Sequence, residues 1–422
     1  MNCELGLRPK MIPFVLSFIW LLAAFSISAC ATTPVQQTKL VAGDREPDDF
    51  FGYSVALSDQ TALVGAYKDD NRRGANAGAA YVFVSSSNGW QQQAKLTALD
   101  GAPDDTFGGN LALDDNLAAI GSRGDDDVGE DSGSVYLFVR KHDTWSPQGK
   151  VVAADGAAGD AFGQSVATSS DYLIVGAPHD DDFGDSSGSA YVYKRKSGTW
   201  HQEAKLTASD GSEGDVFGIS VSISGDTILV GADLNDEIAD NAGAAYVFTR
   251  SKNDGWIEQA KLTAADGSET DLFGVRVAIS GDTALISARR DDDERMGEDA
   301  GSVYVFFRTD EEWHQQAKLT APDGAANDRF GRSVALIEDK ALIGAMFTDD
   351  ASENSGSAYV FTRSESSWAV QAKLLANDAA SDDVFGWSVA IAKDLMIVGA
   401  SRHDAGAREA GAAYIYDAPV GK

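Results

Sequence analysis

The chain has 422 residues, 43% of them hydrophobic, a proportion that suits a folded protein and argues against disorder. Sixty-five acids against 34 bases give a formal net charge of −31, which repels phosphate backbones and sets nucleic acid aside as a partner. The two cysteines, Cys3 and Cys30, both lie near the start, so no intramolecular disulfide framework is available to the rest.

The first element is a leader. Arg8 and Lys10 precede an apolar run over residues 11–27, which is too short for a membrane span and ends in small residues. Ile27-Ser28-Ala29-Cys30 closes the run in the pattern of a bacterial lipobox. Residues 1–29 are therefore expected to be a lipoprotein signal peptide and Cys30 the lipidated first residue, with an ordinary cleaved signal as the alternative. Residues 30–37 follow as a short tether. Ala31 resembles the sorting signal of Gram-negative outer-membrane lipoproteins, which lack an aspartate there. The expected location is the outer membrane of a bacterial envelope, surface-exposed or periplasmic, with lipid as the membrane attachment.

Residues 38–418 are filled by a repeat. Phe-Gly pairs begin at Phe51, Phe107, Phe162, Phe217, Phe273, Phe330 and Phe385, at intervals of 55 to 57 residues. In the fourth copy ISVSIS is followed by a Gly-Asp turn, TILVGA, a polar loop, AAYVFTR, a second turn and WIEQAKLTA. These are four short segments rich in Val, Ile, Tyr, Phe and Thr, split by Gly, Asp, Asn and Ser, which predicts four antiparallel strands. Seven such copies predict an all-β, seven-bladed β-propeller. The last copy stops at Tyr416, one strand short, while the missing signature stands at the start as Thr38-Lys39-Leu40-Val41-Ala42. The N-terminal strand is thus expected to close the ring, since an open array would expose two unfinished edges.

Aspartates recur with the strands. One set comprises Asp44, Asp100, Asp155, Asp210, Asp266, Asp323 and Asp378. Five residues on lie Asp49, Asp105, Asp160, Asp215, Asp271, Asp328 and Asp383, and after the second strand come Asp70, Asp126, Asp181, Asp236, Asp292, Asp349 and Asp404. The topology places all three sets on one face of the disc. Strict repetition favours structural braces that accept backbone hydrogen bonds, as in Asx-turns. The alternative cofactor is calcium, which needs six to eight clustered oxygens, and the third set supplies the candidate ligands.

Phe-Gly, the following Ser-Val-Ala, the Gly-Ala ending and Gly-Ser-Ala-Tyr-Val-Phe resemble the FG-GAP repeat over about residues 37–417. The resemblance implies the propeller of integrin α-chain heads and of many bacterial surface proteins. The calcium loop many such repeats carry between first and second strands is here a bare turn, as at Ser224-Gly225-Asp226, so that site is not transferred.

Arg123-Gly124-Asp125 spells a tripeptide that integrins read on their ligands, and in an acidic loop it is expected to be coincidental. The five histidines form no catalytic constellation and no cysteine nucleophile is available. The expected function is a non-catalytic, lipid-anchored binding or adhesion propeller that offers its acidic loop face to a protein or polysaccharide. An envelope-assembly scaffold and a carbohydrate-active enzyme are the alternatives. The tether should turn the acidic face away from the membrane, with Arg289, Arg290 and Arg295 of the fifth copy and Arg402 and Arg408 of the seventh marking where a ligand is sought first.

Overall fold

A computed structural model describes residues 34–253 and 255–419, and the signal segment, Cys30 and the tether as far as residue 33 lie outside these. Among the described residues every regular element is a strand. Strand β1 (Gln36–Leu40) is followed by β2 (Ser54–Ser58), β3 (Thr61–Ala66), β4 (Ala79–Ser86) and β5 (Gly89–Leu96). Blade 1 is the sheet β2-β3-β4-β5, and the same order recurs in blades 2 to 6 (residues 110–151, 165–206, 220–262, 273–319 and 330–374). Blade 7 holds β26 (Ser388–Ile391), β27 (Leu395–Ala400) and β28 (Ala412–Asp417), and β1 pairs antiparallel with β28 as its fourth strand. The ring is closed by the N-terminal strand.

Burial follows strand position. First strands of adjacent blades touch one another around the axis, while fourth strands barely meet. Second strands such as TALVGA are buried at every residue because a neighbouring blade covers each face. Fourth strands keep one edge in solvent and read as mixed sequence, GWQQQAKL in blade 1. The apolar side chains gather in seven clusters, each shared by two adjacent blades. The cluster between blades 7 and 1 joins Phe51, Val64 and Tyr81 to Leu40, Ile397 and Ile415.

The Phe-Gly pair clamps each blade to the one before. Phe51 is fully buried, its ring edge-on to Tyr81 at 5.5 Å and to Phe83 at 5.9 Å. The N–H groups of Phe50 and Phe51 donate to the carbonyls of Glu409 and Ala410 in blade 7, and Phe107 N–H donates likewise to Ala77. This contact explains the glycine before each third strand. Gly78 has φ +82°, and a Cβ there would fall 2.1 Å from the Phe107 carbonyl oxygen.

Candidate functional site

The repeated acids are occupied by the fold. In the loop before each first strand, a carboxylate oxygen of Asp49, Asp105, Asp160, Asp215, Asp271, Asp328 or Asp383 accepts the N–H of the residue three before it, at 2.6–2.9 Å. Asp70, Asp126, Asp181, Asp236, Asp292, Asp349 and Asp404 each accept an N–H from further along their own loop, five to seven residues on, at 2.7–2.8 Å. The second set is buried, so it does not decorate the surface as its polarity alone suggests.

The first set belongs to a network whose other members the aspartate spacing did not reveal. In blade 3, Tyr191 donates its hydroxyl to Asp155 and Asp180, each at 3.0 Å. Lys205 Nζ then lies 2.9 Å from Asp155, 2.9 Å from Asp180 and 2.6 Å from Asp182. Blade 2 repeats this with Lys150, Asp100, Asp125 and Asp127, and blade 1 with Lys95, Asp44 and Asp69. The buried acid of each network precedes the third set by one residue: Asp69, Asp125, Asp180 and Asp291, with Asn235, Thr348 and His403 in the other blades. Asp155, Asp180 and Asp182 approach one another closely enough to hold a metal ion. The ammonium of Lys205 already stands among them, so a calcium ion there would have to displace it.

The repeat breaks at the axis. Ser54, Ser165, Ser333 and Ser388, three residues after the Phe of Phe-Gly, donate to a glycine carbonyl of the next blade at 2.6–2.9 Å. Blade 5 has Arg276 at this position. The residue just before it is Tyr53 in blade 1, Arg332 in blade 6 and Trp387 in blade 7. Arg276, Arg332, Tyr53, Tyr67, Trp387 and Arg123 line one cavity of about 140 Å³, walled by the first strands of blades 1, 2, 5, 6 and 7 and by the entry to that of blade 3. One side is aromatic: Tyr53 lies 4.2 Å from Tyr67 and 5.3 Å from Trp387 between ring centroids. The Arg332 guanidinium stacks 3.9 Å over Trp387 and so adjoins this aromatic cluster.

The arginine side carries uncompensated charge. Arg332 is 6% exposed, and its Nε, with those of Arg289, Arg290 and Arg329, is buried without a hydrogen-bond partner. Burial lowers the pKa of Arg276 and Arg332, and burial together with the field of Arg276 brings Arg289 down to about 10. Asp233 is the buried acid nearest in effect, and burial lifts it to about 6 against the pull of Arg289 and Arg276.

Seven segments, 34–83, 90–138, 145–193, 200–248, 256–306, 313–361 and 368–416, match the family described as FG-GAP repeat. The chain belongs to the FG-GAP repeat family. Each FG-GAP segment begins on the fourth strand of one blade and ends in the third strand of the next, which is why the N-terminal strand is left to complete blade 7. Among curated proteins the chain is similar to integrin alpha-6 of Gallus gallus, 30% identical over 142 residues. That match covers 32% of this chain and 12% of the relative's length. Among solved structures it is similar to Sqt1 of Saccharomyces cerevisiae, with a TM-score of 0.50 at 10% identity over 92% of this chain and 100% of that one. That likeness speaks for the fold alone.

Two further motifs are absorbed by the FG-GAP framework. Asp125 of the Arg-Gly-Asp tripeptide is 3% exposed and accepts from Ser134, Tyr136 and Lys150, so a partner cannot read it. His403, 7% exposed, has Nδ1 2.8 Å from Asp383 and contacts Lys39 through Nε2, which ties the closing strand into blade 7.

The networks make stability depend on pH in two opposed ways. Burial lifts Asp49 to about 7 and Asp105 and Asp271 to about 6. Folded pKa values above the unfolded ones give stability that is full below about 4 and lost as pH rises through 6 to 7. Although burial pushes Asp44, Asp100, Asp155 and their equivalents upward, hydrogen bonds from lysine and tyrosine hold them below the ordinary carboxylate value. Their contribution is present above about 4 and lost below it. The melting temperature is therefore expected to peak between about pH 4 and 6 and to fall towards pH 8, with Asp49→Asn flattening the fall. A melting temperature that climbs steadily from pH 5 to 8 would contradict this.

Proposed function

We propose that the chain is a non-catalytic, lipid-anchored binding propeller of the bacterial envelope, and that its ligand engages the axial cavity on the acid-loop face. The observation that carries this reading is where the repeat is broken. The loop acids recur blade after blade and are committed to amides, tyrosines and lysines, whereas Tyr53, Arg276, Arg332 and Trp387 occur once each and converge on one cavity. A repeat protein gains a specific site by making one blade unlike the others, and concave sites mixing aromatic and charged groups are the usual form of a ligand pocket. Kinship with the integrin α-chain adds weight to an adhesion-type role. The network lysines serve as internal cations in this reading, so the fold requires no calcium. With Cys30 lipidated, β1 starts at the opposite face and the axial cavity points away from the bilayer. The partner is a protein or a polysaccharide.

The test is photocrosslinking in intact cells and in outer-membrane fractions. A photoreactive phenylalanine analogue replaces Tyr67 at the cavity or Ser87 in an exposed turn of the opposite face. A discrete adduct from position 67 and none from position 87 is expected. Adducts from 87 alone, or equally from both, would refute the axial site.

A further inference from the structure

Building on that reading, we propose that the axial cavity binds a carboxylate carried on a flat or puckered ring, such as an aromatic acid or a uronic sugar. Arginine's fork matches the two oxygens of a carboxylate, and a charged donor that is buried without an acceptor is costly until an anion supplies one. Arg332 meets that description, since it lines the cavity, is 6% exposed, and has an Nε–H that donates to nothing. Arg276 lines the same wall, with Nη1 donating to its neighbour Val275 at 2.8 Å. Among the described residues neither arginine forms an ion pair, and the buried acid that reaches Arg276 and Arg289 is Asp233 alone. Two or three cations thus face one carboxyl group, and the site is short of negative charge inside a chain whose net charge is −31.

The ring follows from the aromatic residues beside the Arg332 guanidinium. Tyr53 lies within 5.3 Å of both Tyr67 and Trp387, and together they form a surface that stacks on an aromatic ring or on the C–H face of a pyranose. A bare inorganic anion would use the arginines and leave this wall idle. Size and field restrict the ligand further. A cavity of about 140 Å³ admits one ring with its acid group, and the surrounding acid loops repel an extended polyanion. Arg123, held at 3.1 Å by Gln164, and Asn110 add polar donors for substituents on the ring.

Isothermal titration of the purified lipid-free chain tests this with four probes: benzoate, glucuronate, sulfate and inorganic phosphate. At least one ring carboxylate should bind with Kd below about 1 mM, more tightly than either inorganic anion, and should raise the melting temperature by about 3 °C at a hundredfold excess over Kd. Benzoate preferred over glucuronate assigns the site to aromatic acids, and the reverse to acidic sugars. Arg332→Leu and Trp387→Leu should each weaken binding at least about tenfold. Both variants should stay folded, because replacing an unpaired buried charge by an apolar side chain is often neutral or stabilising and the tryptophan is only partly buried. Sulfate or phosphate binding as tightly as the ring acids, no binding by any probe, or binding untouched in both variants would each overturn the proposal. A position-67 adduct that persists when no ring carboxylate binds would refute this inference and leave the binding propeller standing. Loss of both would refute the two together.

Discussion

Deleting residues 34–42 is expected to leave a chain that aggregates and melts at least about 5 °C below the intact one. The deletion removes β1, exposing the hydrogen-bonding edge of β28 along Ala413 to Tyr416. An uncovered strand edge is a template for pairing with another molecule. Leu40, 3% exposed, leaves the cluster between blades 7 and 1, a loss of about 1.5–3 kcal/mol by itself. Lys39 goes with it, freeing Asp378 at 2.8 Å and removing a contact of the buried His403. In a chain of this length each kcal/mol moves the midpoint by about 1.2 °C, so Leu40 alone gives about 2–4 °C and the lost strand pairing and ion pair add to it. Calorimetry and light scattering of the two forms measure the effect. A truncated chain that is monodisperse and melts with the intact one would show that the ring does not depend on its closing strand.

The second large effect lies in blade 3. Lys205→Met should cost about 3–5 kcal/mol, because it strands Asp180, 4% exposed, as a buried carboxylate with its counter-charge gone. Asp155 and Asp182 lose the same partner, though about half of each is in solvent and they contribute little. Adding Asp180→Asn should restore most of the loss. Blade 4 shows that an uncharged residue is accommodated there, with Asn235 at the equivalent position, although its Lys261 is kept and pairs with Asp210 and Glu237. Chemical denaturation of the single and double variants measures both numbers. If the lysines are the internal cations, EDTA should move the wild-type midpoint by no more than about 2 °C. A single variant as stable as wild type, or a large drop with EDTA, would return the acid loops to metal binding.

These networks show how far the sequence could be read. The seven blades and their closure are written in the interval between Phe-Gly pairs and in the displaced Thr38-Lys39-Leu40 segment, because a repeat forces every copy to bury the same faces. The aspartates were visible for the same reason. The lysine of Ala-Lys-Leu also recurs, but it looks like part of a strand signature until the fold brings Lys205 beside Asp180, 25 residues away. The buried acid itself hides among substitutes, since Asn235, Thr348 and His403 take its place in three blades.

The axial cavity was hidden by the logic that exposed the fold. Tyr53 and Trp387 are 334 residues apart in sequence and become neighbours only through ring closure. Tyr53, Arg276, Arg332 and Trp387 each depart from what the other copies carry at their positions, so comparing the copies removes them from view. The signal was nonetheless present: the residue after Phe-Gly runs Tyr, Gly, Gln, Ile, Val, Arg and Trp around the ring, the least uniform position beside the most uniform one. Arg289 and Arg290 of the fifth copy do contribute to the charge behind the cavity, whereas Arg408 pairs with Asp48 at the rim.

On the proposal that repeated residues carry structure and unrepeated ones carry binding, the two should separate in a single assay. The adduct formed from position 67 is measured in the Arg332→Leu background and in the Lys205→Met background, with the melting temperature of each recorded alongside. The expected result is loss of the adduct with an unchanged or raised midpoint in Arg332→Leu, and a full adduct below a midpoint lowered by about 4–6 °C in Lys205→Met. A full adduct from Arg332→Leu, with the adduct lost from folded Lys205→Met, would place binding on the acid loops and contradict the axial site.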